Sequence, residues 1–157
     1  MGKKIDLATA PTVKGTTYPP PFDEPCLKRS QIKLGDAAGL TQFGVNLCRL
    51  PPGTWSSQRH WHAREDELIV VMEGEVVLVT DSGEEILKAG DSAGFKAGDK
   101  DGHHFQNRSK ADAVILEIGT QVDGDTAYYP EIDLVSPSTP GYTHRDGAPY
   151  PEQQRRT

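Results

Sequence analysis

The residue types that could do chemistry in this chain are concentrated around position 60. His60 and His62 are separated by one residue, and Glu67 follows after four more. Alternate residues of a β-strand point to the same face, so the two histidines of a His-x-His pair present their imidazoles side by side. Imidazole and carboxylate groups are common ligands of divalent metals. The stretch is therefore typical of one half of a metal site.

A second group of residues could supply the other half. His103 and His104 are followed by Asn107, so four of the five histidines of the chain lie in two small groups. The sequence between the groups is strand-like, and we expect the groups to meet in the folded protein. Three imidazoles and one carboxylate suit a divalent Fe, Mn, Ni, Cu or Zn ion, and such sites commonly leave positions open for substrate or water.

The elements that must position these residues are predicted to be short strands. They recur at intervals of about ten residues, with Gly-rich turns between them, which is typical of an all-β sandwich or barrel. The apolar runs 68–72 and 76–80, joined through Gly74, favour a β-hairpin. The predicted strands are 31–34, 43–50, 68–72, 76–80, 86–87, 92–95, 103–107 and 113–121.

The composition indicates one globular domain. A chain of 157 residues can bury a core without covalent staples. The formal net charge of −6, without a long Lys/Arg cluster, disfavours nucleic acid as a partner. No apolar run has the length of a signal peptide or a membrane span, so we expect a cytoplasmic protein without membrane contact. Cys26 and Cys48 are expected to be ordinary buried thiols.

The N-terminal segment is expected to be an extended arm over residues 1–39. Consecutive prolines at positions 19–21 exclude a helix interior or a central strand there. Tyr18 and Phe22 give the arm apolar surface that it can bury against the barrel or a partner subunit.

Residues 40–121 are expected to form the barrel, and residues 122–157 a polar, proline-rich C-terminal extended tail. Tyr142 and His144 lie in this tail. They could belong to a lid over the barrel mouth or to the ordinary surface.

The first group of candidate ligands lies in a recognisable motif. Gly53, His60-x-His62, Glu67 and Gly74 closely resemble the first motif of the cupin superfamily. Six residues separate the first glycine from the first histidine here, where the family pattern has five.

The stretch Gly90 to Asn107 is similar to the second cupin motif, in which a histidine precedes an asparagine by four positions. His103 holds that place before Asn107 in this chain. Lys96 stands where the family usually has proline, and four residues rather than two separate Gly98 from His103.

The resemblance covers residues 40–121 and implies a double-stranded β-helix, the cupin jelly-roll barrel, with a divalent metal near one mouth. It implies His60, His62, Glu67 and one of His103 and His104 as the metal ligands. His103 is favoured because it has the family spacing to its asparagine, and because strand alternation places it on the opposite face from its neighbour.

The resemblance also implies a small-molecule ligand or substrate. The leading hypothesis is a metal-dependent enzyme. Its reaction could be of dioxygenase, isomerase, lyase or decarboxylase type, because the fold alone does not determine which of these reactions is catalysed. One alternative is a non-catalytic cupin that binds or senses a small molecule or sugar, and another is a storage or structural cupin. Single-barrel cupins are often dimers, and a proline-rich arm with apolar side chains fits a segment that wraps around a partner subunit. We therefore expect a homodimer.

Other polar residues near the motifs have simpler interpretations. Glu65 and Asp66 are expected to form a solvated turn rather than to act as a base. Arg49 could bind an anion, whereas strand alternation from the first histidine points Arg59 outward. Of the aromatic residues that could line a pocket, only Phe105 shares the predicted ligand face. The four aromatic candidates are Trp55, Trp61, Phe95 and Phe105.

Overall fold

The computed structural model describes residues 2–157. The secondary structure is almost entirely β, apart from the short helix α1 (Leu34–Ala38) and a 3-10 turn at Glu24–Cys26. The described residues form these strands: β1 (Thr12–Lys14), β2 (Ser30–Lys33), β3 (Phe43–Leu50), β4 (Trp61–His62), β5 (Glu67–Glu73), β6 (Glu75–Thr80), β7 (Gly83–Lys88), β8 (Ser92–Phe95), β9 (His104–Gln106), β10 (Ala113–Thr120), β11 (Ala127–Tyr128) and β12 (Val135–Ser136).

The largest sheet has six strands in the order β1-β2-β3-β10-β5-β8, and every neighbouring pair is antiparallel. Alternation along β3 gives this sheet an inner and an outer face. Cys48 and Leu50 are fully buried, while Arg49 between them is exposed. Ala113 and Ile115 of β10 continue the same buried face.

A second sheet, with the strand order β7-β6-β9, covers that buried face. Val76 and Leu78 of β6, Leu87 of β7 and Phe105 of β9 join the apolar residues of the first sheet in one core, the barrel cluster. Two antiparallel sheets that pack face to face over one core in this way enclose the core between them. The all-β jelly-roll fold predicted from the sequence is confirmed.

The predicted hairpin over residues 68–72 and 76–80 is wrong. β5 pairs with β10 and β8, whereas β6 pairs with β7 and β9, so the two strands lie in different sheets. Gly74 between them has a φ of +73°, and a side chain there would lie 2.8 Å from the carbonyl oxygen of Asp112. The glycine is therefore a tight corner between sheets, which has the same sequence pattern as a hairpin turn.

The arm and the tail also contain paired strands. β1 and β2, from the N-terminal segment, extend the six-stranded sheet, and β11 and β12 form a three-stranded sheet with β4. A single bridge between Thr16 and Arg156 joins the two terminal segments. The limits of the arm and tail at residues 39 and 121 stay a prediction.

A second apolar cluster, the arm–tail cluster, lies where these terminal segments meet. Its buried members are Tyr18, Cys26, Ala127, Tyr129 and Leu134. Further aromatic residues from both termini and from the barrel pack against it. The terminal segments thus have a core of their own.

Cys26 and Cys48 are free and fully buried, as the sequence predicts. Within residues 2–157, no helix is both long and apolar enough to cross a membrane. The cytoplasmic location and the homodimer stay predictions.

Candidate metal centre and its cavity

Backbone pairing brings the two histidine groups together. His62 lies on β4, and His60 just before it forms a bridge with His103, which immediately precedes β9. The amide of His60 donates to the carbonyl oxygen of His103 at 3.1 Å, and the amide of His103 returns a bond of 2.9 Å. Glu67 begins β5 in the six-stranded sheet. The two predicted groups therefore meet between the sheets.

The three imidazoles surround one carboxylate oxygen. Oε2 of Glu67 lies 2.8 Å from Nε2 of His103. It lies 3.8 Å from Nε2 of His60 and 3.7 Å from Nε2 of His62. The side chain of His103 is only 4% exposed, and those of His60 and His62 are 13% and 18% exposed. These four mostly buried side chains are called the donor cluster: His60, His62 and Glu67 are mutually close, and His103 joins them through its contact with Glu67.

Two of the imidazoles are oriented through their other nitrogen. Nδ1 of His62 lies 2.6 Å from Oδ2 of Asp125, and Nδ1 of His60 lies 2.9 Å from the carbonyl oxygen of Gln58. Both partners are acceptors, so in the neutral form of each imidazole Nδ1 carries the proton and Nε2 is the nitrogen that can bind a metal. A metal-binding histidine is commonly held in this way by a carboxylate or a carbonyl group.

The third imidazole is held by stacking. The ring of His103 lies 3.5 Å from that of Phe95, centroid to centroid, at an interplanar angle of 5°. Flat stacking of this kind fixes the plane of the imidazole.

Burial sets the charges within the cluster. It lowers the pKa of His60 to about 4, so this imidazole is neutral at neutral pH. Burial alone would raise the pKa of Glu67, but its interaction with His103 and the nearby imidazoles holds that pKa at about 2. A neutral imidazole and an ionised carboxylate are the protonation states that bind metals.

The donor cluster fits a divalent metal ion. Oε2 of Glu67 is buried, and its nearest polar neighbours are the Nε2 atoms of the three imidazoles, the closest at 2.8 Å. A buried negative oxygen that faces three imidazole nitrogens is stabilised by a cation. An ion with bonds of about 2.1 Å holds neighbouring ligand atoms roughly 3.0–3.5 Å apart. The three nitrogen–oxygen separations, 2.8 to 3.8 Å, are close to that range. The ligand atoms of His60, His62 and Glu67 all lie within 4.8 Å of one another, whereas His103 meets this group only through Glu67.

His104 lies away from the cluster. Its Nδ1 is 3.0 Å from the carbonyl oxygen of Ser57, its Nε2 is 2.9 Å from Nε2 of Gln106, and its ring packs edge-on against Trp55. The structure therefore brings His103 rather than His104 to Glu67.

The donor cluster opens into a cavity of about 310 Å³. Glu117 of β10 lines this cavity, and its Oε2 accepts a hydrogen bond of 2.6 Å from Nε2 of Gln31. Arg29 also lines it and donates to the carbonyl oxygens of Gly15 and Ser56. Among the described residues that line the cavity, Arg29 is the only one with a permanent positive charge.

A second cavity of about 220 Å³ shares His62, Glu67 and His103 with the first. Lys96, which stands at the proline position of the second motif, lines this smaller cavity with Phe95. The donor cluster therefore lies between two cavities.

The expectation that Arg59 points outward is wrong with respect to burial. Its side chain is only 8% exposed and lies 2.6 Å from Oδ1 of Asp81. Its charge is also close to Asp101, at 3.7 Å, and to Glu131, at 3.1 Å. Strand alternation is broken just before β4, because His60 lies in a bridge rather than a regular strand. Arg59 therefore joins the barrel to the tail.

The acidic residues before Glu67 are more ordered than a solvated turn requires. Oε1 of Glu65 accepts a hydrogen bond of 2.9 Å from the amide of Val122, and Oδ1 of Asp66 accepts one of 2.7 Å from the amide of Ala97. These bonds tie the approach to β5 to two loops. Glu65 also lines the main cavity.

Sequence reasoning did not find Asp125, Arg29 and Glu117. Asp125 lies in an Asp-Gly-Asp stretch, which predicts only a turn. Arg29 belongs to the arm, which had no assigned role at the site. Glu117 offered one signal, because it is the only charged residue between the apolar positions of the predicted strand 113–121.

Known proteins share this architecture. Residues 46–119 match the model of the cupin domain family. No curated protein matches the chain. A sugar phosphate isomerase of the cupin superfamily from Silicibacter pomeroyi is 42% identical, with 95% of this chain and 97% of that chain covered and a TM-score of 0.88.

More distant structures agree with this assignment. A protein from Acidithiobacillus ferrooxidans, described as a candidate sugar phosphate isomerase, is 29% identical over 74% of this chain and 71% of its own, with a TM-score of 0.66. A predicted oxalate decarboxylase from Thermotoga maritima is 22% identical over 60% and 80%, with a TM-score of 0.50, and shares the fold alone. The chain belongs to the cupin superfamily.

Proposed function

We propose that this protein is a divalent-metal-dependent isomerase that interconverts the aldose and ketose forms of a phosphorylated sugar. The observation that carries the proposal is the donor cluster of three imidazoles and one carboxylate at the wall of a polar cavity. The substrate class is supported by the sugar phosphate isomerase that is 42% identical over 95% of this chain.

His60, His62, Glu67 and His103 would hold the ion. When bound, a divalent metal supplies Lewis-acid polarisation of the carbonyl and hydroxyl oxygens of a sugar. The protein residues do the rest. Asp125 fixes the tautomer of His62, and stacking fixes the ring of His103, so the donors are in place before any substrate arrives.

The walls of the cavity support a sugar phosphate as the ligand. They carry hydroxyl and amide groups that can bind sugar hydroxyls, among them Ser57, Asn46 and Gln121. Arg29 provides a permanent charge for an anionic group, and its hydrogen bonds in the described residues go to backbone carbonyls rather than to a carboxylate. A guanidinium group that is not committed to a carboxylate is suited to bind phosphate.

A panel of aldose phosphates, followed by proton NMR, tests this function. We expect conversion to the matching ketose phosphates, its loss after chelation, and its return with one of Fe, Mn, Ni, Zn or Cu. His62→Ala is expected to lower turnover at least ~100-fold, because the ion is lost. His144→Ala is the matched control, since His144 bonds to Asp133 in the tail, outside the cavity.

Two outcomes would contradict the proposal. Isomerisation that survives complete chelation would exclude the role of the metal. Saturable binding of sugar phosphates without turnover under any metal would favour the alternative, a non-catalytic sugar-binding cupin.

A further inference from the structure

Glu117 is a cavity residue that the metal centre does not use. It lies on β10, where Ile115 and Ala113 on the same face are fully buried in the barrel cluster. The alternation that buries those two residues directs the side chain of Glu117 to the interior, where it lines the main cavity. Burial of a carboxyl group in an otherwise apolar strand costs free energy, and the packing of the core gives no reason for an acidic residue here.

The strand register places Glu117 next to the donor cluster. β10 and β5 are antiparallel neighbours, with Gly119 opposite Glu67 and Glu117 opposite Ile69. Glu117 and Glu67 are therefore diagonal neighbours on one face, a relation in which residues lie about 7–8 Å apart. Gly119 has no side chain, and an added Cβ there would lie 3.7 Å from Cγ of Glu67. Gly119 also lines the main cavity, between the two carboxyl groups.

The surroundings of Glu117 suit proton transfer. Gln31 holds Oε2 at 2.6 Å, which fixes the side chain across the sheet. Burial raises the pKa of Glu117, and Arg29 and Gln31 partly oppose that rise. A buried carboxyl group with a raised pKa is a stronger base than an exposed one, and catalytic acids and bases are commonly adjusted in this way.

We propose that Glu117 is the catalytic acid–base residue that moves a proton between the two carbons of the substrate. This inference rests on the proposed isomerase function. The carboxylate of Glu117 removes the proton from C2 of the aldose, and the electrons of the C–H bond form a C1–C2 double bond. The carbonyl oxygen on C1 takes up a proton from solvent water at the same stage, and the C2 hydroxyl returns one to water in the second half of the reaction.

The second half of the reaction restores the residue. Glu117 returns its proton to C1, and the hydroxyl on C2 loses its proton as the new carbonyl group forms. One hydrogen has then moved from C2 to C1 and, through water, one proton from O2 to O1. The step needs no oxidant or reductant, and Glu117 ends in its starting state.

The test compares Glu117→Gln and Glu117→Asp with the control Glu84→Gln. Glu84 is an exposed carboxyl group on β7 that pairs with Arg108, outside the cavity. Each variant is assayed for kcat, KM, metal content, thermal unfolding and the loss of deuterium from C2 of labelled substrate, whether the deuterium is carried to C1 or exchanged with solvent. We expect Glu117→Gln to lower kcat and deuterium loss at least ~100-fold, with metal content and KM close to wild type.

Glu117→Asp separates a catalytic role from a structural one. It keeps the carboxyl group, so we expect kcat to recover above that of Glu117→Gln, with a displaced pH profile. A residue that only ties β2 to β10 through Gln31 would not give that pattern.

The outcomes distinguish the two proposals. Wild-type turnover that persists within threefold in a folded, metal-loaded Glu117→Gln variant overturns the role of Glu117 and leaves the isomerase function intact. Equal kcat values for the Gln and Asp variants also overturn it. No turnover in the metal-loaded wild type overturns the isomerase function and this role together.

Discussion

The two apolar clusters of this protein are built from different residues and serve the metal centre differently. The barrel cluster is mainly aliphatic, with Leu50, Val71 and Ile115 almost completely buried. The arm–tail cluster is rich in tyrosine, and the hydroxyl of Tyr129 lies 3.4 Å from that of Tyr18. The barrel cluster positions the strands, whereas the arm–tail cluster places tyrosine side chains beside the metal centre and its cavity.

This difference separates the donors from the residues that orient them. Glu67 lies on β5 of the six-stranded barrel sheet, whereas His62 lies on β4, which pairs with β11 of the tail. Asp125, which orients His62, comes from the tail, and the ring of Tyr129 lies 5.7 Å from that of His60. Arg29 reaches the cavity from the arm. The terminal segments are therefore part of the site rather than appendages.

The largest expected effect comes from a matched pair of leucines. Leu50 in the barrel cluster and Leu134 in the arm–tail cluster are both fully buried. Truncation of either to alanine is expected to lower the free energy of unfolding by ~2–5 kcal/mol, because both leave a cavity. Urea unfolding of the two variants measures this. A loss below ~0.5 kcal/mol for Leu134→Ala would mean that the tail does not share in the fold.

Asp125→Asn removes a charge from the tail without removing a metal ligand. Since Asp125 fixes the tautomer of His62 at 2.6 Å, we expect affinity for the ion to fall ~10–100-fold. Competition with a fluorescent chelator measures the affinity. Asp123→Asn, two residues earlier in the same turn, is the matched control. Equal affinity in both variants would show that the tail does not tune the site.

Each apolar cluster contains one buried cysteine, so the pH dependence of stability can be compared between the two clusters. Burial raises the pKa of Cys26 from 9.0 to about 11, so the unfolded chain releases this thiol proton before the folded protein does. Between those values the unfolded state binds fewer protons, and the free energy of unfolding falls by at most ~1.4 kcal/mol per pH unit for this group. Below pH 9.0 the contribution is fully present.

Urea unfolding of wild type and Cys26→Ala across this range measures the effect. The difference in stability between the two proteins should shrink as the pH rises from 9.0 to about 11. A difference that does not change with pH would contradict burial of the thiol in the arm–tail cluster. Cys48→Ala gives the matched comparison for the barrel, where burial also raises the thiol pKa.

The smallest effect is expected for Tyr129→Phe. The substitution keeps the ring against His60 and removes the hydrogen bond to Tyr18. We expect a loss of ~0.5–1.5 kcal/mol in the free energy of unfolding, without loss of the metal. Thermal unfolding and metal analysis check both parts. A large loss of metal would mean that the hydroxyl group orients the centre directly.

The sequence predicted the barrel better than it predicted the surroundings of the site. Period-two alternation located most strands, and the spacing of His60, His62 and Glu67 indicated one half of the donor cluster. The choice between His103 and His104 could not be made from alternation alone. Only the backbone bridge to His60 shows which imidazole faces the carboxylate.

What could not be predicted depends on contacts between distant parts of the chain. Asp125 is 63 residues away from His62, and a local Asp-Gly-Asp pattern carries no information about that contact. The corner at Gly74 has the same local signal as a hairpin, and the two differ only in which strands pair later. The buried guanidinium group of Arg59 is surrounded by carboxylates from three separate segments.

The most direct test of the metal centre is the metal content of the purified protein by plasma mass spectrometry. Wild type and His144→Ala should each carry about one divalent ion per chain, and a folded His62→Ala variant should carry almost none. A metal-free wild type after loading, or equal metal content in all three proteins, would contradict the assignment of His60, His62, Glu67 and His103 as the ligands.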